Sequence, residues 1–447
     1  MRRVGFLAVI LLLLLAGAQP GRSAEAEAGV GTLVDWPTYH MTKDRAGFSA
    51  SGPTLPLQQA WTKTLTGAVY GEALVVGSTL IVATEENHVY GLDARTGTQL
   101  WDTQLGAPQP GSGLPCGNID PLGITGTPVY DDATGSVFAV AETRGGNHRL
   151  WALSVTDGAK RWVRSLDTQP DRNKLAEQQR PASLVTAGRV ITVFGGLAGD
   201  CQNYVGYVTS VPTSGKGTIN SYAVPTARKG GIWATPGAVQ GPNGNVYVAS
   251  GNGAQLTGAW DMSDSVTELD PVTMARRSVF APTEWPADNI EDRDLGSMSP
   301  AMVPSVGRIV IAGKRGTVFL LRQHLTGVGS EVARLDGCMG FGGAARVRTT
   351  VLMPCRGPAA IRELKVGQST LSWGWTHANV YGSPVISGDK VYVADRATSD
   401  LFVLRLSDGT TIERHPVGNM THFPSQVVSG DYVFVTSLTG VTAFRGQ

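Results

Sequence analysis

One pattern recurs along this chain and limits what it can fold into: short apolar strands occur in groups of four, separated by turn residues. The clearest copy is GEALVVGSTLIVATEENHVYGLDARTGTQLW, which predicts strands at Glu72–Val76, Leu80–Thr84, Val89–Asp93 and Gln99–Trp101. The segments GTPVYDDATGSVFAVAETRGGNHRLWALSVTDGAKRW and GSPVISGDKVYVADRATSDLFVLRLSDGTTIER repeat the same plan. Five further units lie between and after these copies, so the sequence predicts eight units in all.

Each predicted unit is a small antiparallel sheet that is apolar on both faces and cannot bury itself alone. Packing such sheets around a ring buries both faces, which predicts an all-β, eight-bladed β-propeller of four-stranded antiparallel blades. The last unit ends after its third strand, whereas the segment LQQAWTKTL (Leu57–Leu65) precedes the first unit. We therefore expect this N-terminal strand to complete the last blade and close the ring, because closure removes an exposed sheet edge. An open β-solenoid is the alternative architecture.

The N-terminus and the charge balance limit location and partners. Arg2 and Arg3 precede an apolar run from Val4 to Ala18, which predicts a secretory signal; an uncleaved membrane anchor is the alternative. Residues 1–28 are therefore interpreted as signal peptide and cleavage region, and residues 29–447 as a single propeller domain that is secreted and has no membrane span. A net charge of +1 with 16% charged residues argues against nucleic-acid binding. We predict a monomer.

Several unusual polar and aromatic residues fall in loops that a propeller places on one face. Trp233 precedes the first strand of unit four, and Asn252 follows its second strand. Asp294 precedes unit five, and Lys314 follows the second strand of that unit. Asp200 follows the second strand of unit three. This elaborated loop face is where we expect the function.

The segment GLDARTGTQLW resembles the tryptophan-docking repeat of the quinoprotein, or PQQ-type, propellers. In that repeat an outer-strand tryptophan stacks on the turn of the neighbouring blade. The segment DWPTYHMTKDRAGFS, which begins at Asp35, is similar to the entry segment of secreted bacterial members. The resemblance covers nearly the whole mature chain and supports the propeller, but it is also shared by outer-membrane assembly propellers that bind no quinone.

Within the quinoprotein alcohol dehydrogenases, the resemblance implies a role for each residue of the loop face. Trp233 matches the aromatic floor under the quinone, and Asn252 matches a calcium ligand. Asp294 matches the general base and a further metal ligand, Lys314 matches the residue that contacts the quinone oxygens, and Asp200 matches the acidic calcium ligand. The implied cofactors are PQQ and calcium, and the implied reaction is oxidation of an alcohol or a similar hydroxyl compound.

Other interpretations of the same residues stay open. The family's adjacent cysteine pair and a CxxCH haem motif are absent from this sequence. Trp233 also suits a core position, Asn252 a turn and Lys314 a solvated surface. A non-catalytic binding or envelope-assembly propeller, with a protein partner on the loop face, is the first alternative. A carbohydrate-active propeller that uses carboxylates such as Asp288 and Asp294 on a polymer hydroxyl substrate is the second.

The four cysteines are even in number, which predicts two structural disulfides in an exported chain. Cys338 opens unit six and Cys355 follows its second strand, so we expect these two to pair. Cys116 opens unit two and Cys201 follows the second strand of unit three, so a bridge between neighbouring blades is expected there.

Overall fold

The repeated strands pair into eight sheets in a computed structural model, which describes Met1, residues 31–357 and residues 360–447. The predicted signal segment, residues 2–28, lies outside these described residues. Gly31–Gln447 forms one compact unit that contains all eight sheets. The described part of the chain has no helix long and apolar enough to cross a membrane. The predicted all-β class and the number of blades are confirmed.

Each blade is a four-stranded antiparallel sheet, and in the first seven blades the four strands occur in chain order. The first four blades have these strands: Leu74–Val76, Thr79–Ala83, His88–Asp93 and Gln99–Gln104 in blade one; Val129–Asp131, Ser136–Thr143, Asn147–Ser154 and Lys160–Ser165 in blade two; Leu184–Thr186, Arg189–Gly196, Tyr207–Pro212 and Asn220–Ala223 in blade three; Val239–Gln240, Val246–Ala249, Val266–Leu269 and Arg276–Ala281 in blade four.

The other four blades follow the same plan: Ala301–Val303, Arg308–Ala312, Thr317–Arg322 and Ala333–Asp336 in blade five; Ala345–Val347, Thr350–Arg356, Ile361–Val366 and Leu371–His377 in blade six; Val385–Ser387, Lys390–Asp395, Asp400–Arg405 and Thr411–Pro416 in blade seven; Gln426–Ser429, Tyr432–Ser437, Gly440–Gly446 and Leu57–Thr64 in blade eight. Extra short strands, at Glu177–Gln178, Met339–Gly340, Phe48–Ser49 and Thr326–Val328, extend blades three, six, seven and four.

Helical segments are short and lie in the connections between strands. The α-helix Trp285–Glu291 precedes blade five, and 3-10 turns lie at Gly111–Gly113, Lys174–Ala176, Leu295–Ser297 and Pro304–Val306. The α-helix and the turn at Leu295–Ser297 flank Asp294, so they set the position of that residue on the loop face.

The ring is closed by the N-terminal strand, as the sequence predicts. Leu57–Thr64 pairs antiparallel with Gly440–Gly446, and Leu57 lies opposite Gly446 while Thr64 lies opposite Gly440. The last blade thus gains its fourth strand from the other end of the chain. A closed ring leaves no open end, so the alternative of an open solenoid is wrong.

Tryptophans hold neighbouring blades together in more places than the intact repeat indicates. The indole nitrogen of Trp101 donates to the Val155 carbonyl oxygen of blade two at 3.2 Å, and its ring covers Gly158. A Cβ atom at Gly158, where φ is +70°, would lie 2.6 Å from that ring. Trp61 docks in the same way on the turn of blade one, and Trp375 docks on the turn of blade seven. The docking geometry of Trp101 in blade one therefore also occurs at Trp61 in blade eight and Trp375 in blade six.

Both predicted disulfides are present. Cys116 pairs with Cys201, and Cys338 pairs with Cys355. The first bridge joins the loop before blade two to the loop between the second and third strands of blade three. The second bridge lies within blade six. The Cys355 side of the second bridge is at the end of the strand Thr350–Arg356 rather than after it.

Candidate functional site

The centre of the loop face is a buried ion pair between two of the predicted residues. The Nζ atom of Lys314 lies 2.7 Å from Oδ2 of Asp294, whose side chain is only 6% exposed. The other oxygen of Asp294, Oδ1, accepts a hydrogen bond from the backbone nitrogen of Asn252 at 2.7 Å. Lys314 also approaches Asp292, whose exposed carboxylate lies 3.1 Å from the ammonium group. Both oxygens of Asp294 are therefore bound by donors of the protein itself.

A second lysine, Lys229, connects Asn252 to Asp200. In the orientation that satisfies both ends of the Asn252 amide, its Nδ2 donates to Oδ1 of Asp294 at 2.8 Å, and its Oδ1 accepts from Nζ of Lys229 at 3.3 Å. The same ammonium lies 3.7 Å from Oδ2 of Asp200. Asp200 also accepts a hydrogen bond of 2.5 Å from the hydroxyl of Tyr204. Asp200, Lys229, Asn252, Asp294 and Lys314 thus form one continuous chain of contacts, which we call the lysine–carboxylate network.

Burial and pairing shift the ionisation of this network in opposite directions. Burial raises the pKa of Asp294 above its ordinary value, and the Lys314 ammonium opposes that rise. Burial disfavours the charged form of Lys314, but the Asp294 carboxylate outweighs this effect, so the pKa of Lys314 lies above its usual value. The short distance between the two groups is that of a charge-assisted hydrogen bond.

Two members of the site, Lys229 and Asp264, were missed by the sequence reasoning. Asp264 is fully buried, and its Oδ1 accepts a hydrogen bond from the backbone nitrogen of Leu295 at 3.0 Å. Burial, reinforced by the nearby Asp294, raises the pKa of Asp264 well above its ordinary value. Neither residue belongs to a motif: Lys229 stands in a polar loop, and Asp264 lies in a segment, DMSDS, that reads as an ordinary turn.

The arrangement of the predicted metal-ligand oxygens at this site does not fit a calcium ion. Calcium takes six to eight oxygen ligands at about 2.3–2.6 Å. The three predicted ligands, Asp200, Asn252 and Asp294, each contact a lysine ammonium or a backbone N–H group instead. Among the residues that the structure describes, no group of three acidic, histidine or cysteine side chains is arranged to hold a metal.

Trp233 belongs to an aromatic cluster that spans several blades. Its ring lies 6.2 Å from Phe341 and 6.1 Å from Phe423, tilted by 49° and 43°, while the two phenylalanine rings are nearly parallel at 5.5 Å. The Lys314 ammonium lies 5.7 Å from the centre of the Trp233 ring, within the range of a cation–π contact. This cluster joins the lysine–carboxylate network to a cavity beside blades six to eight.

Asp288, the other carboxylate that was considered for carbohydrate chemistry, is held elsewhere. Its Oδ1 lies 2.6 Å from a guanidinium nitrogen of Arg315, and burial raises its pKa. Asp288 is thus paired with a neighbouring arginine, as Asp294 is paired with a lysine, so neither of the two carboxylates is unpaired.

Comparisons with solved structures relate this fold to two kinds of protein. The quinohemoprotein alcohol dehydrogenase from Pseudomonas putida has a TM-score of 0.72 at 14% identity, over 92% of this chain and 80% of that one. A europium-containing methanol dehydrogenase gives 0.70 at 13% identity, over 92% and 98%. BamB from Moraxella catarrhalis gives 0.60 at 17% identity, over 87% and 100%. At these identities the likeness shows the fold alone.

Comparison of the sequence with protein-family models identifies the family to which the chain belongs. No curated protein matches the chain significantly. A family model described as "Outer membrane protein assembly factor BamB" matches residues 58–287, which is just over half of the chain. The match begins in the strand that closes the ring and extends to the helix beside Asp294. The chain therefore belongs to the PQQ-type propeller family that carries the description outer membrane protein assembly factor BamB.

Proposed function

We propose that this protein is a non-catalytic binding propeller, exported from the cytoplasm, whose loop face holds a ligand or partner without calcium-dependent alcohol oxidation. The observation that carries the proposal is the lysine–carboxylate network. Lys314 and Lys229 hold the two carboxylates, Asp294 and Asp200, that would otherwise serve as calcium ligands.

The charges of the network support this proposal. Lys229 and Lys314 pair with Asp200 and Asp294 without a metal ion, and the exposed Asp292 adds a third carboxylate beside Lys314. Adding a divalent cation next to Lys229 and Lys314 would place like charges together in a partly buried site, which is unfavourable. Both oxygens of Asp294 already accept hydrogen bonds from the protein, so a substrate hydroxyl would compete with these donors for the carboxylate.

Two further observations agree with export and binding. The family to which the chain belongs is described by an assembly factor rather than by an enzyme. Both cysteine pairs are oxidised, and disulfides of this kind are typical of proteins outside the cytosol. Secretion itself and the monomeric state stay predictions from the sequence.

The second candidate is the PQQ- and calcium-dependent dehydrogenase that the sequence resemblance implies. It is favoured by one specific observation, the Trp233 ring with the Lys314 ammonium 5.7 Å above it, since a planar cofactor with oxygen substituents needs both an apolar floor and a cation. In this alternative Trp233 would stack on the quinone and Lys314 would contact its oxygens.

Reconstitution separates the two candidates. The purified protein is incubated with PQQ and calcium chloride, and the dye-linked oxidation of ethanol and other short alcohols is measured. We expect no turnover above that of the cofactor alone. Turnover that requires both additions, and that Asp294→Asn abolishes while the melting temperature is kept, would contradict the proposal and support the dehydrogenase.

A further inference from the structure

Unpaired cations lie on the face of the ring that is opposite to the loop face. In an antiparallel blade, the turn between strands one and two and the turn between strands three and four are at the same end, which we call the turn face. Along blades three to six this face carries six exposed or half-buried cations, which we call the basic crescent: Lys43, Arg189, Lys216, Arg308, Arg322 and Arg348. Within residues 31–357 and 360–447, none of the six forms an ion pair.

In blade three, two arginines hold the turn that carries the exposed Lys216. Arg164 of blade two donates a hydrogen bond to the carbonyl oxygen of Gly215 at 2.6 Å. Arg189 donates to the carbonyl oxygen of Thr218, near the other end of the same turn, at 3.0 Å. The two guanidinium groups therefore fix the backbone of the turn and add positive charge on both sides of Lys216.

In blade five, two arginines lie opposite each other without a carboxylate partner. Arg308 begins the second strand, and it is directly across from Arg322, the last residue of the third strand. Like charges at such positions destabilise a sheet. Their guanidinium groups donate to backbone carbonyl oxygens instead, Arg308 to Gln368 at 2.6 Å and Arg322 to Ser330 at 3.2 Å. A negatively charged partner would relieve the repulsion between the two arginines.

The carboxylates of this sector already have partners of their own. In the described part of the chain, those that reach solvent here are each paired with an arginine outside the basic crescent: Asp270 with Arg277, Glu331 with Arg334, and Asp44 with Arg346. A further carboxylate, Glu268, is buried, and it accepts hydrogen bonds from Asn243, Asn245 and Ser278. The positive charge of the crescent is therefore available to a partner in solution.

We infer that the basic crescent docks on an anionic lipid surface, namely a bilayer that contains acidic phospholipids. The six cations are spread over four neighbouring blades, so one small anion cannot contact them together, whereas a bilayer presents phosphate groups along the whole face. Two valines in the same turns, Val272 and Val328, are 42% and 43% exposed and add a small apolar contact. The attraction would therefore be mainly electrostatic, and salt should weaken it. The inference concerns the face opposite to the lysine–carboxylate network, so it goes beyond the proposed function and does not depend on it.

Co-sedimentation with lipid vesicles tests the kind of partner. The purified protein is mixed with vesicles of phosphatidylcholine alone or of phosphatidylcholine and phosphatidylglycerol in equal amounts, and the bound fraction is measured against lipid concentration. We expect binding at about 0.1 M salt that requires phosphatidylglycerol and is lost at about 0.5 M salt, because added ions screen the exposed charges. Soluble polyphosphate, tested in a separate titration, distinguishes a bilayer surface from an anionic polymer.

Two variants of equal net charge tie the binding to the basic crescent. The double variant Lys216→Gln/Arg322→Gln should weaken binding to the anionic vesicles roughly twentyfold, because each basic residue beside such a surface contributes a factor of about five. The matched control is Arg144→Gln/Arg149→Gln, since both arginines are exposed in blade two, near its loop-face end. Within residues 31–357 and 360–447 none of these four side chains forms an ion pair, so both variants should keep the melting temperature of the parent.

Each outcome of the vesicle measurement supports or overturns the inference. A preference for anionic vesicles that the Lys216/Arg322 variant loses and the Arg144/Arg149 variant keeps supports it. Equal binding to the two kinds of vesicle, no binding to either, equal loss in both variants, or binding of polyphosphate without binding of anionic vesicles would overturn it. None of these results involves PQQ, calcium or the loop face, so the reconstitution measurement decides the proposed function separately.

Discussion

Removing the ammonium group of Lys314 tests the ion pair at the centre of the site. In Lys314→Met the apolar stem is kept, but Asp294 loses the partner that lies 2.7 Å from its Oδ2. At an effective dielectric constant of about 20, the Coulomb attraction at such a distance is about 6 kcal/mol. Most of it is offset by the lost hydration of both ions, and Lys314 is 23% exposed. We therefore expect a net loss of roughly 2 kcal/mol at neutral pH.

The dependence of this loss on pH distinguishes an ion pair from simple packing. Burial already raises the pKa of Asp294, and without Lys314 the pKa rises further. The unfolded carboxyl group ionises near its ordinary value of about 4. Below that pH the protonated group needs no cation, so the variant should approach the stability of the parent. Between about pH 4 and 7 the deficit should grow, because the folded state must hold an unpaired carboxylate or take up a proton.

Urea denaturation followed by tryptophan fluorescence at pH 4, 5.5 and 7 measures this deficit. Lys390→Met is the matched control, since the Lys390 ammonium pairs with Asp389, an 83% exposed carboxylate on the surface. We expect the control to change the free energy of unfolding by less than about 1 kcal/mol at every pH. A deficit for Lys314→Met that is constant with pH, or no deficit at pH 7, would refute the reasoning.

Three further predictions concern the scaffold. Trp101→Ala should lower the free energy of unfolding by about 3–5 kcal/mol, because it removes a large side chain, only 8% exposed, from the blade interface. Leu100→Ala is the control: Leu100 is the neighbouring residue and is 52% exposed, so this change should be nearly neutral in the same urea denaturation assay. Burial opposes a charged His148, but Glu142 and Asp167 outweigh it and raise the pKa of His148 to about 10. The stability from this charge is present below about pH 6.5 and is lost as pH rises toward 10, so parent and His148→Gln melting temperatures should converge at alkaline pH; a constant difference would contradict this. Replacing both cysteines of the Cys116–Cys201 pair by serine should destabilise by about 4–5 kcal/mol, against about 3 kcal/mol for the Cys338–Cys355 pair, because the cross-linked residues are 85 and 17 positions apart; the reverse order in urea denaturation would contradict the chain-entropy argument.

The propeller architecture was predictable because the residue patterns that produce its strands and turns recur along the sequence. The strand predicted at Val89–Asp93 is His88–Asp93 in the structure, and the spare strand that begins at Leu57 closes the ring as expected. The disulfide pairs followed once each cysteine was assigned to a blade. Alternating apolar residues and glycine turns act locally, so a single sequence suffices to locate them.

The chemistry of the site was less predictable because it depends on contacts between distant loops. Trp233, Asn252, Asp294 and Lys314 do lie together on one face, which the order of the blades implies. Lys229 carries no motif, and only the folded ring places its ammonium beside Asn252 and Asp200, with no regular spacing in the sequence to reveal it. The resemblance matched Asp200, Asn252 and Asp294 to calcium ligands, but it carried no information about the contacts of Lys229.

The cavity beside blades six to eight was missed for the same reason. Phe341 and Phe423 are 82 positions apart in the numbering, and each follows residues that look like an ordinary turn. Their parallel stacking, and the approach of Arg180 to Phe423, depend on contacts between loops of different blades, whereas Arg356 and Phe341 belong to the same blade. The arginines beside these rings and the cavity, Arg180, Arg356 and Arg396, stand far apart in the sequence, so they form no charge cluster that a sequence reading would detect.

Calcium binding by the unmodified protein tests the central claim most directly. Calcium chloride is titrated into the chelator-treated protein in a calorimeter, and the melting temperature is measured with and without millimolar calcium. Because Lys229 and Lys314 already pair with the carboxylates, we expect no saturable heat and no thermal shift. A saturable site with a dissociation constant below about 0.1 mM, accompanied by the thermal stabilisation that such affinity requires and lost in Asp294→Asn, would contradict it.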